Sequence, residues 1–239
     1  MSAAHARPAA RAPFASVWFD CDSTLSTIEG IDELARARPE CAAAIAELTR
    51  RAMDGAIPLQ QVYGERLRRI APTRAEVEAL ARRYVATLVP GARETVAALR
   101  RLGKTVGIVS GGLRPAVLAV AHELSIPAEH VHAVDVRFAA DGGYAGFDAG
   151  SPLARSGGKR DVMAALPAAL QPAALVGDGM TDLEAKGAVA CFVGFGGVVR
   201  RASVEAEADA FVPGPSLTGV LDVLLTAQER AQLDDGGRR

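Results

Sequence analysis

The chain has 239 residues, 49 % of them hydrophobic and 23 % charged, and 27 basic side chains against 28 acidic ones leave a formal net charge of −1. That balance is ordinary for a globular protein able to bury a sizeable core, and it excludes nucleic acid or an anionic membrane as the main partner. No apolar run reaches transmembrane length, and Cys21, Cys41 and Cys191 lack metal-ligand spacing, which argues against a zinc site or a disulfide framework and for a cytoplasmic setting.

In chain order, residues 1–13 (MSAAHARPAARAP) lack acids and hold no signal-peptide core, and they read as a disordered N-terminal extension. Residues 17–20 read as a buried strand. Residues 26–88 then carry only helical patterns, at 31–37, 40–52, 59–70 and 75–87. Pro39, Pro58 and Pro72 fall at the joints, and Thr73 with Glu76 makes a capping-box signature. From Pro90 strands and helices alternate: helix 93–101 with Gly103 at its end, strand 105–109, helix 115–124, then 131–138 and 144–147 flanking the hairpin signal Asp141-Gly142-Gly143. Helix 159–166, strand 174–176, helix 181–185, strands 190–193 and 210–212 and helix 217–225 follow, and residues 227–239 read as a flexible tail. The alternation predicts an α/β fold with a Rossmann-like parallel sheet, covered on both faces. Residues 14–25 and 89–226 would form that core, and 26–88 an inserted helical unit.

Four short polar motifs punctuate this pattern. In VWFDCDSTLS (17–26) a buried strand runs into Asp20 and Asp22, with Thr24 at the next same-face position. Two carboxylates at the C-terminal edge of such a strand call for a hard cation such as Mg²⁺. Cys21, between them, would face the other way and serve packing. Ser110-Gly111-Gly112 closes the next strand, offering a hydroxyl and free backbone N–H groups to a phosphate oxygen. Ser156-Gly157-Gly158-Lys159 places a lysine at a helix start, where the dipole disfavours it unless it meets an anion. Gly177-Asp178-Gly179-Met180-Thr181-Asp182 sets two more acids behind a strand.

These residues compose a phosphoryl-transfer mechanism. Asp20 is the candidate nucleophile, forming an aspartyl phosphate. Asp22 is the candidate general acid, then base. Asp20, the backbone carbonyl of Asp22, and Asp178 would hold Mg²⁺. Lys159 and Ser110 would orient the phosphoryl oxygens, with Asp182 holding Lys159 in place. A related phosphatase or phosphotransferase with another substrate shares all four motifs. A signalling module switched by aspartyl phosphorylation is a further alternative, opposed by the acid/base Asp22 and by the helical insert.

In this order, DCDST, SGG, SGGK and GDGMTD resemble the four motifs of the haloacid dehalogenase superfamily. Within it, EGIDELA (29–35), LTRRAMDGAIPL (48–59), GERL (64–67), YAGFD (144–148) and GFGG (194–197) resemble the phosphoserine phosphatase family. The likeness spans about residues 14–225. It implies that the insert is a cap carrying substrate choice, with hinges near 27–30 and 89–91. It also implies that Glu29 meets the ammonium of L-phosphoserine, Arg66 its carboxylate, and Met53 its apolar part. Gly111 and Thr181 join the phosphate-binding set. The implied partner is a small phosphomonoester, L-phosphoserine before others, and a homodimer stays open. The chain departs from many relatives at Asp54, where glycine is frequent, and at Leu59, where an aromatic ring often stands.

Overall fold

The computed structural model describes residues 13–54 and 56–236. Strand β1 (Ser16–Phe19) is followed by helices α1 (Gly30–Ala35), α2 (Pro39–Met53), α3 (Leu59–Ile70) and α4 (Arg74–Ala86). Helix α5 (Ala92–Arg101) then leads into β2 (Thr105–Leu113), α6 (Arg114–Glu123) and β3 (Val131–Val134). Strands β4 (Val136–Phe138) and β5 (Tyr144–Phe147) make a hairpin, followed by α7 (Gly158–Ala164), β6 (Ala173–Gly177), α8 (Met180–Leu183) and β7 (Cys191–Phe195). Helix α9 (Ala202–Glu207), β8 (Ala210–Val212), α10 (Leu221–Leu224) and α11 (Ala227–Gly236) complete the described chain.

Six strands form one parallel sheet in the order β3-β2-β1-β6-β7-β8, and β4 and β5 pair separately as an antiparallel ribbon. The apolar run of β1 is buried on both faces, as a central strand between helical layers must be. The chain lays β2 and β3 on one side of β1 and returns to place β6 on the other. The strand order therefore reverses between β1 and β6, and a crevice opens at their C-terminal ends.

The four helices after β1 leave and rejoin the sheet side by side. Ser26 and Leu88 form an antiparallel bridge, Thr27 N–H donates to the Thr87 carbonyl and Val89 N–H to that of Leu25, both at 2.9 Å. Helix α3 buries Leu59, Val62, Tyr63, Arg66, Leu67 and Ile70, a stripe at helical spacing. Helix α4 starts with the capping box read from Thr73 and Glu76, with Thr73 N–H donating to the Glu76 carboxylate at 2.7 Å. Buried apolar side chains of helices and sheet, from Tyr84 and Ile45 to Trp18 and Phe192, form one continuous cluster.

Several elements differ from expectation. The run 131–138 is not one strand: it breaks at Asp135, β3 joining the sheet and β4 turning away into the hairpin. Strand β2 continues through Ser110-Gly111-Gly112 to Leu113, with a shift of register against β3 after Val109. Helix α9 lies in a short polar stretch that gave no helical signal. Residues 217–225 form a 3-10 turn (Leu217–Val220) and then α10. The tail is ordered as α11: Thr226 and Glu229 build a second capping box, and the Glu229 carboxylate accepts from buried Lys104 Nζ at 2.5 Å. Lys104 also donates to the Phe14 carbonyl at 2.8 Å, so one ammonium ties both ends of the described chain together. The expected N-terminal extension lies, apart from Pro13, outside the described residues, as do residues 237–239 of the tail. Among the described residues no helix is long and apolar enough to cross a membrane.

Candidate active site

Strand β1 stops at Phe19, although Asp20 N–H still donates to the Val176 carbonyl of β6 at 2.9 Å. Beyond it the chain turns: the Cys21 carbonyl accepts from Leu25 N–H at 3.0 Å and Ser26 N–H at 2.9 Å, and Ser23 takes a left-handed φ of 53°. Asp20 and Asp22 thus meet the same cleft through a turn, not through strand alternation as the spacing predicts. Cys21 is fully buried, and that burial pushes its thiol up, away from the reactive thiolate.

Asp20 is held at both oxygens. Its Oδ1 accepts from Cys21 N–H at 2.7 Å, and its Oδ2 lies 2.9 Å from Lys159 Nζ. Lys159 also donates to Asp182 Oδ1 at 2.7 Å, while Asp182 Oδ2 accepts from Gly179 N–H at 3.0 Å. This explains a lysine in the first turn of α7: its anions are Asp20 and Asp182. Burial works against the ammonium, but these two carboxylates outweigh it and hold the Lys159 pKa above its usual value. Gly177 makes the packing possible, because a Cβ there would lie 2.2 Å from Cγ of Asp182.

Asp178, at the end of β6, accepts from Thr24 Oγ1 at 3.3 Å. Its Oδ2 is buried without a hydrogen-bond donor, with Arg201 Nε 3.4 Å away. Oxygens of Asp20, Asp178 and Asp182 lie within 4.8 Å of one another. Burial raises the Asp178 carboxyl well above the usual carboxylate range, and the charges of Glu29 and Asp20 add to it. An orphaned buried oxygen amid an excess of carboxylates fits a hard divalent cation, and the oxygen-only donor set suits one.

Asp22 Oδ1 accepts from Gly30 N–H at 2.8 Å and from the Tyr84 hydroxyl. Enclosure, then the charges of Glu29 and Asp20, push its carboxyl well above the usual carboxylate range.

Farther along the cleft, Arg66 is 3 % exposed and donates from Nη1 to Thr49 Oγ1 at 2.7 Å, which in turn donates to Asp32 Oδ1 at 2.6 Å. Its Nε has no partner, a buried donor available to a ligand carboxylate. The guanidinium lies 5.7 Å from the centre of the Tyr63 ring. Glu29 accepts from Ser23 Oγ at 2.7 Å, and burial raises its carboxyl.

The structure brings Asp20, Asp22, Glu29, Met53, Arg66, Gly111, Lys159, Asp178 and Thr181 to one cleft. Ser110 and Asp182 stand behind its surface: Ser110 is fully buried, its Oγ accepting from Gly112 N–H at 3.0 Å, and Asp182 is masked by Lys159. Leu59 lines the cleft, while Asp54 lies 3.0 Å from Arg201 Nη1 and 2.9 Å from Arg50 Nη1. Nothing in the local pattern signals Tyr63, Tyr84 and Arg201 as parts of the site. Both tyrosines sit on buried helical stripes and read as core, and Arg201 falls in a loop beside another arginine.

Residues 17–185 match the family model for haloacid dehalogenase-like hydrolases. Human phosphoserine phosphatase is 42 % identical over 201 residues, covering 82 % of this chain and 88 % of the human protein. The chloroplastic phosphoserine phosphatase of Arabidopsis thaliana is 38 % identical over 200 residues, covering 81 % of this chain and 67 % of the plant protein. In fold, the chain is similar to a solved phospho-aspartyl intermediate analogue of phosphoserine phosphatase, with a TM-score of 0.74 at 24 % identity, covering 90 % of this chain and 100 % of the other. With its parallel sheet, its helical insert and its acidic cleft at the β1–β6 crevice, this chain belongs to the phosphoserine phosphatase family of haloacid dehalogenase-like hydrolases.

Proposed function

We propose that this protein is a Mg²⁺-dependent phosphoserine phosphatase, releasing L-serine and inorganic phosphate in the last step of serine biosynthesis. The observation that carries the reading is the set of groups lining one cleft: Asp20, Asp22 and Lys159, the carboxylate of Glu29, and the buried Arg66 with its unpartnered Nε. L-Phosphoserine presents a phosphate, a carboxylate and an ammonium, one for each group.

Asp20, the backbone carbonyl of Asp22, and Asp178 would hold Mg²⁺, which when bound neutralises the clustered carboxylates and polarises the phosphoryl oxygens. Asp20 attacks phosphorus while Asp22 protonates the departing serine oxygen. Asp22 then takes a proton from the water that cleaves the aspartyl phosphate. Lys159 neutralises charge on the phosphoryl group, held in place by Asp182. Gly111 and Thr181 complete the phosphate cradle, with Ser110 behind it fixing the Gly112 amide, and Met53 packs on the substrate's carbon skeleton. Residues 26–88 act as a lid on the core of 14–25 and 89–226, excluding water in the first step and admitting it in the second.

The test is phosphate release from L-phosphoserine with Mg²⁺ beside a panel of small phosphomonoesters, with Asp20→Asn as control. A strong preference for L-phosphoserine, abolished in the variant, is expected. Equal activity across the panel would remove serine as the natural substrate and keep the phosphatase chemistry.

A further inference from the structure

The two oxygens of Asp22 are not equivalent. Oδ1 faces two donors, the Gly30 N–H at 2.8 Å and the Tyr84 hydroxyl. Oδ2 faces the end of β2, where a Cβ at Gly112 would lie 3.3 Å from it. The Gly30 N–H can only donate, and the Tyr84 hydroxyl, able to donate or accept, closes the remaining side of Oδ1. Oδ1 is thereby clasped from α1 and α4, and Oδ2 is the oxygen turned toward the end of β2.

Tyr84 is built for this task. It is fully buried in the last turn of α4, and its own carbonyl accepts from Ser26 Oγ at 3.2 Å, which ties that turn to the segment leaving β1. Room for its hydroxyl exists because residue 30 is glycine: a Cβ there would lie 2.1 Å from the Tyr84 oxygen. Gly30 and Tyr84 are thus a fitted pair, from α1 and α4, clasping one oxygen of a residue that follows β1.

We propose that Tyr84 is a positioning residue for catalysis, clasping Oδ1 of Asp22 together with Gly30 and so fixing the direction from which Oδ2 meets the leaving oxygen. The inference rests on the phosphatase reading above. In the first step a bond forms between an Asp20 oxygen and phosphorus, the ester P–O bond breaks, and the Oδ2 proton passes to the departing alkoxide. In the second, a water oxygen bonds phosphorus, the Asp20–phosphorus bond breaks, and the water's proton returns to Oδ2. Tyr84 takes no part in either transfer; it holds the carboxyl of Asp22 in place.

Leaving-group chemistry separates this role from general structural support. Serine departs as an alkoxide and needs the proton, whereas p-nitrophenolate leaves without one. For Tyr84→Phe in the full-length protein with Mg²⁺, the ratio of kcat/KM for L-phosphoserine to that for p-nitrophenyl phosphate is expected to fall about ten-fold, as for loss of a hydrogen bond to a charged or proton-bearing group. In an Asp22→Asn background the same change should leave the ratio where it was. An equal loss on both substrates, or a loss independent of Asp22, overturns the inference. If Tyr84→Phe does not fold, 3-fluorotyrosine at position 84 keeps the shape and alters the donor: a shifted ratio supports the role and an unchanged one refutes it. A wild-type protein inactive on both esters would instead refute the phosphatase reading itself.

Discussion

The hydroxyl of Tyr63 donates to the main-chain carbonyl of Gly111 across 2.7 Å, so that α3 grips the strand end that carries Ser110. The next amide, Gly112 N–H, is bound to Ser110 Oγ at 3.0 Å, and one peptide unit is thereby held at both ends. Tyr63→Phe keeps the ring under Arg66 and removes only the hydroxyl. A neutral hydrogen bond contributes about 1 kcal/mol, so KM for L-phosphoserine should rise about five-fold, with a small loss of thermal stability. Steady-state kinetics and a thermal melt read both.

With Arg66 in its proposed role, recognition of the amino acid can be separated from chemistry at phosphorus. Arg66→Ala removes a charge-assisted partner of the substrate carboxylate, worth about 1.5–3 kcal/mol, and should lower kcat/KM for L-phosphoserine at least ten-fold. Turnover of a simple aryl phosphate, which has no carboxylate, should fall far less. Equal losses on the two substrates would remove Arg66 from substrate recognition.

The Lys159 ammonium is enclosed between Asp20 and Asp182. Taking away one member of a buried ion pair leaves charge without a partner and costs about 3–5 kcal/mol. Lys159→Met should therefore lower the denaturant midpoint clearly, beyond its effect on catalysis. Mg²⁺ should restore part of the loss by neutralising the carboxylates left behind.

Chelation tests the metal reading without a substrate. A ligand that binds only the folded state at one hundred times its Kd adds about 2.7 kcal/mol. Removal of divalent ions should lower the melting temperature and abolish phosphate release, and Mg²⁺ should restore both. Asp178→Asn should reduce the Mg²⁺-dependent gain in melting temperature.

Glu76 predicts an acid limit to the stability of the helical insert. Arg38 donates to its two oxygens at 2.9 and 3.1 Å and, with the Thr73 cap, holds its carboxyl down at about 2. A pKa lower in the folded than in the unfolded chain stabilises the fold fully above the unfolded value of about 4.3. That contribution fades as pH falls toward about 2. Between pH 5 and pH 2 the wild type should lose more stability than Glu76→Gln, read from melts across that range. Parallel curves would place the acid sensitivity elsewhere.

Much of this arrangement was legible because the signals were local. Apolar runs ending in polar motifs marked β1, β2 and β6, and the order of the motifs marked the cleft. Thr73 with Glu76 fixed the start of α4. What escaped depended on distant partners. Asp135 breaks a run of strand formers only because β3 has β2 to pair with, whereas β4 has β5. Helix α11 reads as a polar tail because its anchor, Lys104, is remote in sequence. Tyr63 and Tyr84 occupy apolar stripes like any core residue, and only the closed structure aims their hydroxyls at Gly111 and Asp22. The turn at Ser23 was missed because its left-handed backbone sits at a non-glycine residue.

Strand β1 lies between β2 and β6, with Ser16 facing Thr105 on one side and Ala173 on the other. The residue next to this short strand is Asp20, so the proposed nucleophile has no fixed position until segments from both halves of the chain have come together. Such non-local pairing slows folding. It also orders events: the helical insert, rich in local contacts, can gain structure while the acidic cleft does not yet exist. Activity should therefore be the last property to return when the denatured protein is refolded, after helical signal has already recovered.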